Sequence, residues 1–185
     1  MTRYSEVKCD GYLMYNRVVI LDNECSNKMY WSGFYGSFLG ISKPKEKDIK
    51  APLELSLVEA LYLVEVKKLR VYKGSRELSL KELEEYASMT VPRFSELYKV
   101  YKDLRERGYV LRRGLKFGCD YLAYEHGPGI DHAPYGVQVA SITSNVDPID
   151  FVRMGRLLHS VRKKLIIAVV DRDVSRYLLL KWWKP

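Results

Sequence analysis

"YLAYEHGPGIDHAPYGVQV", residues 121–139, decides how this chain is read. Its two ends are rich in Tyr, Leu, Val and Ala, as strands are, and Gly127-Pro128-Gly129 between them is turn chemistry. The expectation is strand, loop, strand. Yet the chain holds three histidines in all, and two of them, His126 and His132, stand on either side of that turn. A turn has no need of imidazoles. An imidazole ordinarily titrates near pH 6.5, which suits it to pass protons at neutrality.

Working outward, Asp147 before Pro148 is an N-cap followed by proline at the first helical position. The helix it opens, "IDFVRMGRLLHSVRKK", sets Met154, Leu158 and Val161 on one stripe, and "LIIAVVD" and "RYLLLKWW" read as two final strands. On the other side, Phe94, Leu97, Tyr98, Tyr101 and Leu104 share a helical stripe that Gly108 ends, and "YVLRRG" is a strand. Residues 89–185 therefore read as helix, three strands, helix, two strands: a mixed sheet flanked by helices. In residues 1–88, "GYLMYN" and "RVVILD" suggest a small antiparallel sheet. Gly40 to Pro52 is a charged loop, and the capping-box spacings Ser56/Glu59 and Ser79/Glu82 open helices around the strand "LRVYKG". The fold class is α+β in two domains, 1–88 and 89–185. A chain ending on an apolar, aromatic strand invites pairing with another chain.

Composition narrows the function. Of 185 residues, 47% are hydrophobic and 29% charged, a globular balance. The longest apolar run, Leu165 to Val170, is far short of the ~20 residues of a membrane span, and the N-terminus has no apolar signal segment; a soluble, cytoplasmic protein is expected. Cys9, Cys25 and Cys119 are odd in number and lack metal-ligand spacing, so they are expected to be reduced and mostly buried. One Gln and four Asn beside many Lys and Glu is a heat-adapted balance. The net charge of +8 is uneven: residues 1–89 carry 14 Lys and Arg against 13 Asp and Glu, residues 90–185 carry 17 against 10. A basic second domain points to a phosphate-rich partner.

Cleaving RNA without a metal takes a base for the 2′-hydroxyl proton, an acid for the leaving 5′-oxygen and a cation against the extra phosphoryl charge. Tyr124 ends a strand, His132 follows the turn, and Lys163 closes the next helix beside Lys164. The turn folds the chain back, so Tyr124 and His132 can meet at one sheet edge. Singly, each has a plainer reading: Tyr124 as one of fifteen tyrosines in a core, Lys163 as a cation at a helix C-terminus, His159 as a structural residue. His126 is an alternative acid or an exposed loop residue.

"YLAYEHGPGIDHAPY" followed by "GRLLHSVRKKLIIAVVDRD" resembles the C-terminal half of the archaeal tRNA-splicing endonucleases, over roughly residues 115–173. The resemblance implies metal-independent cleavage of precursor tRNA at bulge-helix-bulge junctions, leaving 2′,3′-cyclic phosphate and 5′-hydroxyl ends, with no cofactor. It implies Tyr124 as general base, His132 rather than His126 as general acid, and Lys163 as the cation. It further implies Arg156 and Arg176 as a stacking clamp on a bulged base. Asp171 and Asp173 would dock into a neighbouring subunit, with Arg172 between them as a departure, and the last strands would pair across a two-fold axis. The lysine-rich loop at Lys43, Lys45 and Lys47 resembles an RNA-contacting insertion of members built from two unlike subunits, so a heterotetramer with a sibling structural subunit is expected. Two other functions compete: a non-catalytic RNA-binding subunit, and a metal-dependent nuclease suggested by Glu65 to Lys67, where a helix end explains the residues better.

Overall fold

The computed structural model describes residues 8–145, 147–172 and 174–182. The chain divides into two compact units, one ending at Phe94 and the other beginning at Ser95.

In the first unit, β1 (Cys9–Met14) and β2 (Arg17–Ile20) form an antiparallel hairpin. Asp22 then caps α1 (Asn23–Gly33), its carboxylate accepting from the Cys25 amide at 2.7 Å. This helix is absent from the sequence expectation, which gave the first forty residues to strands. The helix buries only Ser26, Met29 and Tyr30, too sparse a stripe to show helical period, and its start rests on one cap. Two short strands follow, β3 (Ser37–Phe38) and β4 (Leu53–Ser56), with the charged loop between them. Ser56 ends β4 and caps α2 (Leu57–Glu65) in a reciprocal box with Glu59. Glu59 is a buried carboxylate, and it is satisfied: it accepts from the Ser56 amide at 2.9 Å, the Ser56 hydroxyl at 2.7 Å and the Gly36 amide at 2.9 Å. After β5 (Leu69–Lys73) and β6 (Arg76–Leu78), the second box, Ser79 with Glu82, opens α3 (Leu80–Thr90).

The sheet order is β3-β4-β2-β1-β5-β6. All its pairs are antiparallel except β1 with β5, which the chain reaches by way of α2. The expectation of reduced cysteines is corrected for two of the three. Cys9 of β1 and Cys25 in the first turn of α1 form a disulfide, their Cα atoms 5.6 Å apart. That proximity depends on α1, and without the helix the pair is not visible in the sequence. Cys119 remains free and buried.

From Ser95 on, the second unit carries α4 (Phe94–Glu106), whose Val100, Tyr101 and Leu104 are buried. Gly108 takes a φ of 92° and ends it, in a conformation that glycine adopts without a Cβ penalty. Then come β7 (Val110–Arg113), a 3-10 turn at Leu115–Phe117, β8 (Tyr121–Tyr124), β9 (Tyr135–Ser141), α5 (Pro148–Ser160), β10 (Lys164–Asp171) and β11 (Val174–Leu180). The Asp147 carboxylate accepts from the Ile149 amide at 2.8 Å, with Pro148 at the first helical position.

The sheet runs β11-β10-β9-β8-β7, with β9 and β10 parallel across the α5 crossover and the other pairs antiparallel. Under α5 lies a cluster of Cys119, Leu122, Ala133, Ala140, Leu158, Leu165 and Ile167. Leu158 is fully buried and Met154 packs on the cluster, whereas Val161, expected on the same stripe, is 40% exposed because it lies past the helix as its C-cap. The helix sits so close to β9 that a Cβ on Gly136 would stand 2.6 Å from a Leu158 methyl. At the sheet's edge the Asp103 carboxylate accepts from the Tyr177 hydroxyl and the Arg107 guanidinium, tying β11 to α4. Burial and that carboxylate together push the Tyr177 phenol well above its ordinary range. Among the described residues, no helix is long and apolar enough to cross a membrane.

Candidate active site

Strand direction brings the three expected residues to one end of the second sheet. Tyr124 is the last residue of β8, His132 lies three residues before β9 begins, and Lys163 directly precedes β10. Because β8 is antiparallel to β9 and β9 parallel to β10, the end of β8 and the starts of β9 and β10 coincide. Ala123, Tyr135 and Lys164 form one row across the three strands. Strands stand about 4.8 Å apart, so the backbones at Tyr124 and Lys163 are on the order of 10 Å from each other.

Local structure fixes Lys163. Arg162 takes a left-handed φ of 58°, its amide donates to the His159 carbonyl at 3.0 Å, and the Lys163 amide donates to the Leu158 carbonyl at 2.8 Å. This pair of bonds is a Schellman closure of α5, with arginine where glycine is usual. Lys163 thus belongs to the helix-ending turn, just past the helix it was expected to close. Its ammonium donates to the Ala133 carbonyl at 2.8 Å and lies 5.4 Å from the centroid of the Phe117 ring. Phe117 and half-buried Tyr124 pack on the cluster that contains Ala133, so the phenol and the ammonium share a face. His132 is exposed, between the Asp131 loop and buried Ala133. Beside Lys163, a cleft of ≈ 360 Å³ is lined by Phe151, Gly155, His159, Lys164 and Trp182 among others, with the His159 and Trp182 rings edge to face at 6.4 Å.

The loop between the strands has its own organiser. The Asp131 carboxylate accepts from the amides of Glu125 at 3.1 Å, His126 at 3.1 Å and Gly127 at 2.8 Å. Burial works to raise this carboxyl, but the Gly127, His126 and Glu125 amides outweigh it and hold it below the ordinary range. Gly127 at φ 127° and Gly129 at φ 88° take backbone conformations that side-chain-bearing residues rarely adopt. Sequence reasoning missed Asp131 and Phe117. Asp131 stands four residues after the first glycine of the turn, where an Asx side chain can reach back to the turn amides, and that spacing was the available signal.

The remaining expected residues lie elsewhere. Arg156 is exposed on α5, two turns before Lys163. Arg176 of β11 pairs with Val169, six residues along β10, which at ~3.3 Å per residue puts it roughly 20 Å from Lys163. Asp171 is at the far end of β10, and Asp173 lies outside the described residues. Lys43 and Lys45 are exposed in the loop between β3 and β4 of the first unit. His126 is exposed on the loop, tied through its amide to Asp131. Among the described residues, no three His, Cys, Asp or Glu side chains gather as metal ligands.

A phenol, an imidazole and an ammonium thus belong to one sheet end of an α+β unit with a basic sequence. Two family models match the chain: one described as the tRNA intron endonuclease N-terminal domain over residues 9–84, the other as the tRNA intron endonuclease catalytic C-terminal domain over residues 94–177. The chain is 50% identical to a tRNA-splicing endonuclease of Hyperthermus butylicus over 172 residues, 91% of this chain and 95% of that one. It is 43% identical over 176 residues to tRNA-splicing endonucleases of Saccharolobus islandicus and Saccharolobus solfataricus, covering 93% of this chain and 97% of each relative. The chain belongs to the tRNA intron endonuclease family.

Proposed function

We propose that this chain is the catalytic subunit of a cytoplasmic tRNA-splicing endonuclease that cuts precursor tRNA at bulge-helix-bulge junctions, without metal or cofactor, through a catalytic domain of residues 89–185. Tyr124 takes the proton from the 2′-hydroxyl, and that oxygen attacks the adjacent phosphorus. The bond from phosphorus to the 5′-oxygen breaks as His132 protonates the leaving oxygen, and Lys163 meets the extra negative charge. The products are a 2′,3′-cyclic phosphate and a 5′-hydroxyl. The observation that carries this reading is the sheet end itself: a phenol, an imidazole and an ammonium at the ends of three adjacent strands, with Lys163 bonded to the carbonyl next to His132.

The basic surplus of residues 90–185 supplies the electrostatic half of RNA affinity. Arg156 contacts the RNA near the scissile phosphate. Arg176, along the sheet, and Lys43 and Lys45, on the N-terminal loop, contact it at other points. The assembly is two plus two with a sibling structural subunit, Asp171 and Asp173 docking on a neighbour and the last strands pairing between chains.

The test is His132→Ala in the assembled enzyme, assayed on a bulge-helix-bulge RNA in chelator with analysis of the product ends. Cleavage is expected to vanish while RNA affinity stays within about threefold, since general acid catalysis supplies roughly 10²–10⁴ in rate and little binding. Wild-type cutting by the variant would return the chain to a structural, RNA-binding role. Loss of wild-type activity in chelator would turn the mechanism to a metal.

A further inference from the structure

We infer that Asp131 is a positioning residue for the leaving-group step, holding His132 in register with Tyr124 by gathering the loop amides onto its carboxylate. The inference rests on the reading of His132 as the general acid.

His132 is exposed, so packing of its own ring does not fix its place. Its backbone does, from both sides. The residue before it, Asp131, binds the amides of Glu125, His126 and Gly127, the three residues that leave β8 directly after Tyr124. The residue after it, Ala133, is buried and holds the Lys163 ammonium on its carbonyl. The segment 131–133 therefore touches the exit of the strand that carries the phenol on one side and the ammonium on the other. Ile130 and Asp131 also close the loop mechanically: their amides both donate to the Gly127 carbonyl at 3.1 Å, completing a ring of backbone and carboxylate bonds around Gly-Pro-Gly.

An ionised carboxylate makes the strongest acceptor for such a cluster of N–H groups. Without it, three amides lose their partner and a loop with two glycines in left-handed conformations is free to relax. A shift of about 1 Å at His132 is enough to cost on the order of 10²-fold in a proton-transfer geometry. Tyr124 keeps its place in β8 and Lys163 its Schellman turn, while His132 lies wholly within the loop, so the defect is concentrated on the acid.

That asymmetry gives the test. The assembled enzyme is given a bulge-helix-bulge RNA carrying either the natural 5′-oxygen or a bridging 5′-sulfur at the scissile phosphate, since a thiolate leaves without a proton. Asp131→Ala is expected to lower kcat on the oxygen substrate by roughly ten- to a hundredfold with KM within about threefold, a share of what an acid supplies. On the sulfur substrate it should return to within about threefold of wild type, as His132→Ala does. Asp131→Asn, which keeps one carbonyl acceptor, should fall between and serves as the readout if the alanine variant does not fold. Wild-type kcat on the oxygen substrate in either variant overturns the inference. So does slow cleavage by Asp131→Asn on both substrates while His132→Ala is rescued by sulfur, which would make the aspartate a general support and leave the acid assignment intact. Failure of sulfur to rescue His132→Ala removes the acid assignment and the inference with it.

Discussion

The ammonium of Lys163 donates to the main-chain carbonyl of Ala133 at 2.8 Å, spanning 30 residues of sequence to join the turn after α5 to the residue beside His132. With the Phe117 ring beneath it, the cation is held in place by the fold itself. Preorganised charge of this kind is worth more than charge that must be assembled during the reaction.

Lys163→Met is expected to lower kcat by about 10²- to 10³-fold, the usual cost of removing one charge-stabilising group, with KM within about threefold. Single-turnover cleavage of a bulge-helix-bulge RNA measures it. Lys163→Arg should recover only part of the rate, because a planar fork does not reproduce a point charge held by one carbonyl. Full activity in Lys163→Met would take the lysine out of the mechanism.

The Cys9–Cys25 disulfide closes a short loop across β1 and α1. Cys25→Ser should destabilise the first unit by about 2–4 kcal/mol, in line with constraint of the unfolded chain, and denaturant unfolding with and without reductant reads this directly. Burial pushes the Cys119 thiol up to about 11, with Asp120 adding to the effect. At pH 8 the folded protein should therefore react with no thiol reagent at Cys119, and the denatured, unreduced protein should yield one thiol per chain. Three thiols under those conditions would show that the bridge does not form.

Gly136→Ala places a methyl 2.6 Å from Leu158 Cδ1 and 2.7 Å from Cδ2. Overpacking of a rigid helix–strand contact costs about 1–3 kcal/mol, which thermal unfolding would register. Leu158→Ala alone is destabilising through its cavity, but combining the two should cost less than their sum. Strict additivity would mean the pair is not in contact.

Glu82 receives the Ser79 amide, the Arg76 guanidinium and the Ser79 hydroxyl, and in that order of weight they draw its carboxyl down to about 2. A depressed acid pKa stabilises the folded state fully above the unfolded value near 4.3, and the benefit is lost as pH falls from there toward 2. Carboxyl-carbon NMR should find Glu82 still ionised at pH 3.5. Acid-linked fraying of α3 is expected in wild type and should be missing from Glu82→Gln. A midpoint near 4.3 would refute the assignment of the cap.

What the sequence made legible was what neighbours in sequence decide. Ser56, Ser79 and Asp147 announce their helices because a cap and its partner lie two or three residues apart, and the chain's split into two α+β units followed from the pattern of those elements. What it hid depends on residues distant in sequence. The helix α1 has one local signal, Asp22, and its pairing with β1 to form the disulfide has none. The parallel step between β1 and β5 was equally silent. At the candidate site the identities of Tyr124, His132 and Lys163 came from a resemblance, while their convergence on one sheet end required the strand directions. The carbonyl of Ala133 is a backbone group, and no side-chain pattern announces it.

The strand that carries the phenol and the strand that directly follows the amine are held a fixed number of rungs apart in one sheet. Heating loosens loops long before it stretches rungs, so two arms of this site keep their gauge in hot water. The imidazole rides on a span without rungs, and on the proposed reading that span is the hinge by which evolution or a protein engineer would retune the chemistry.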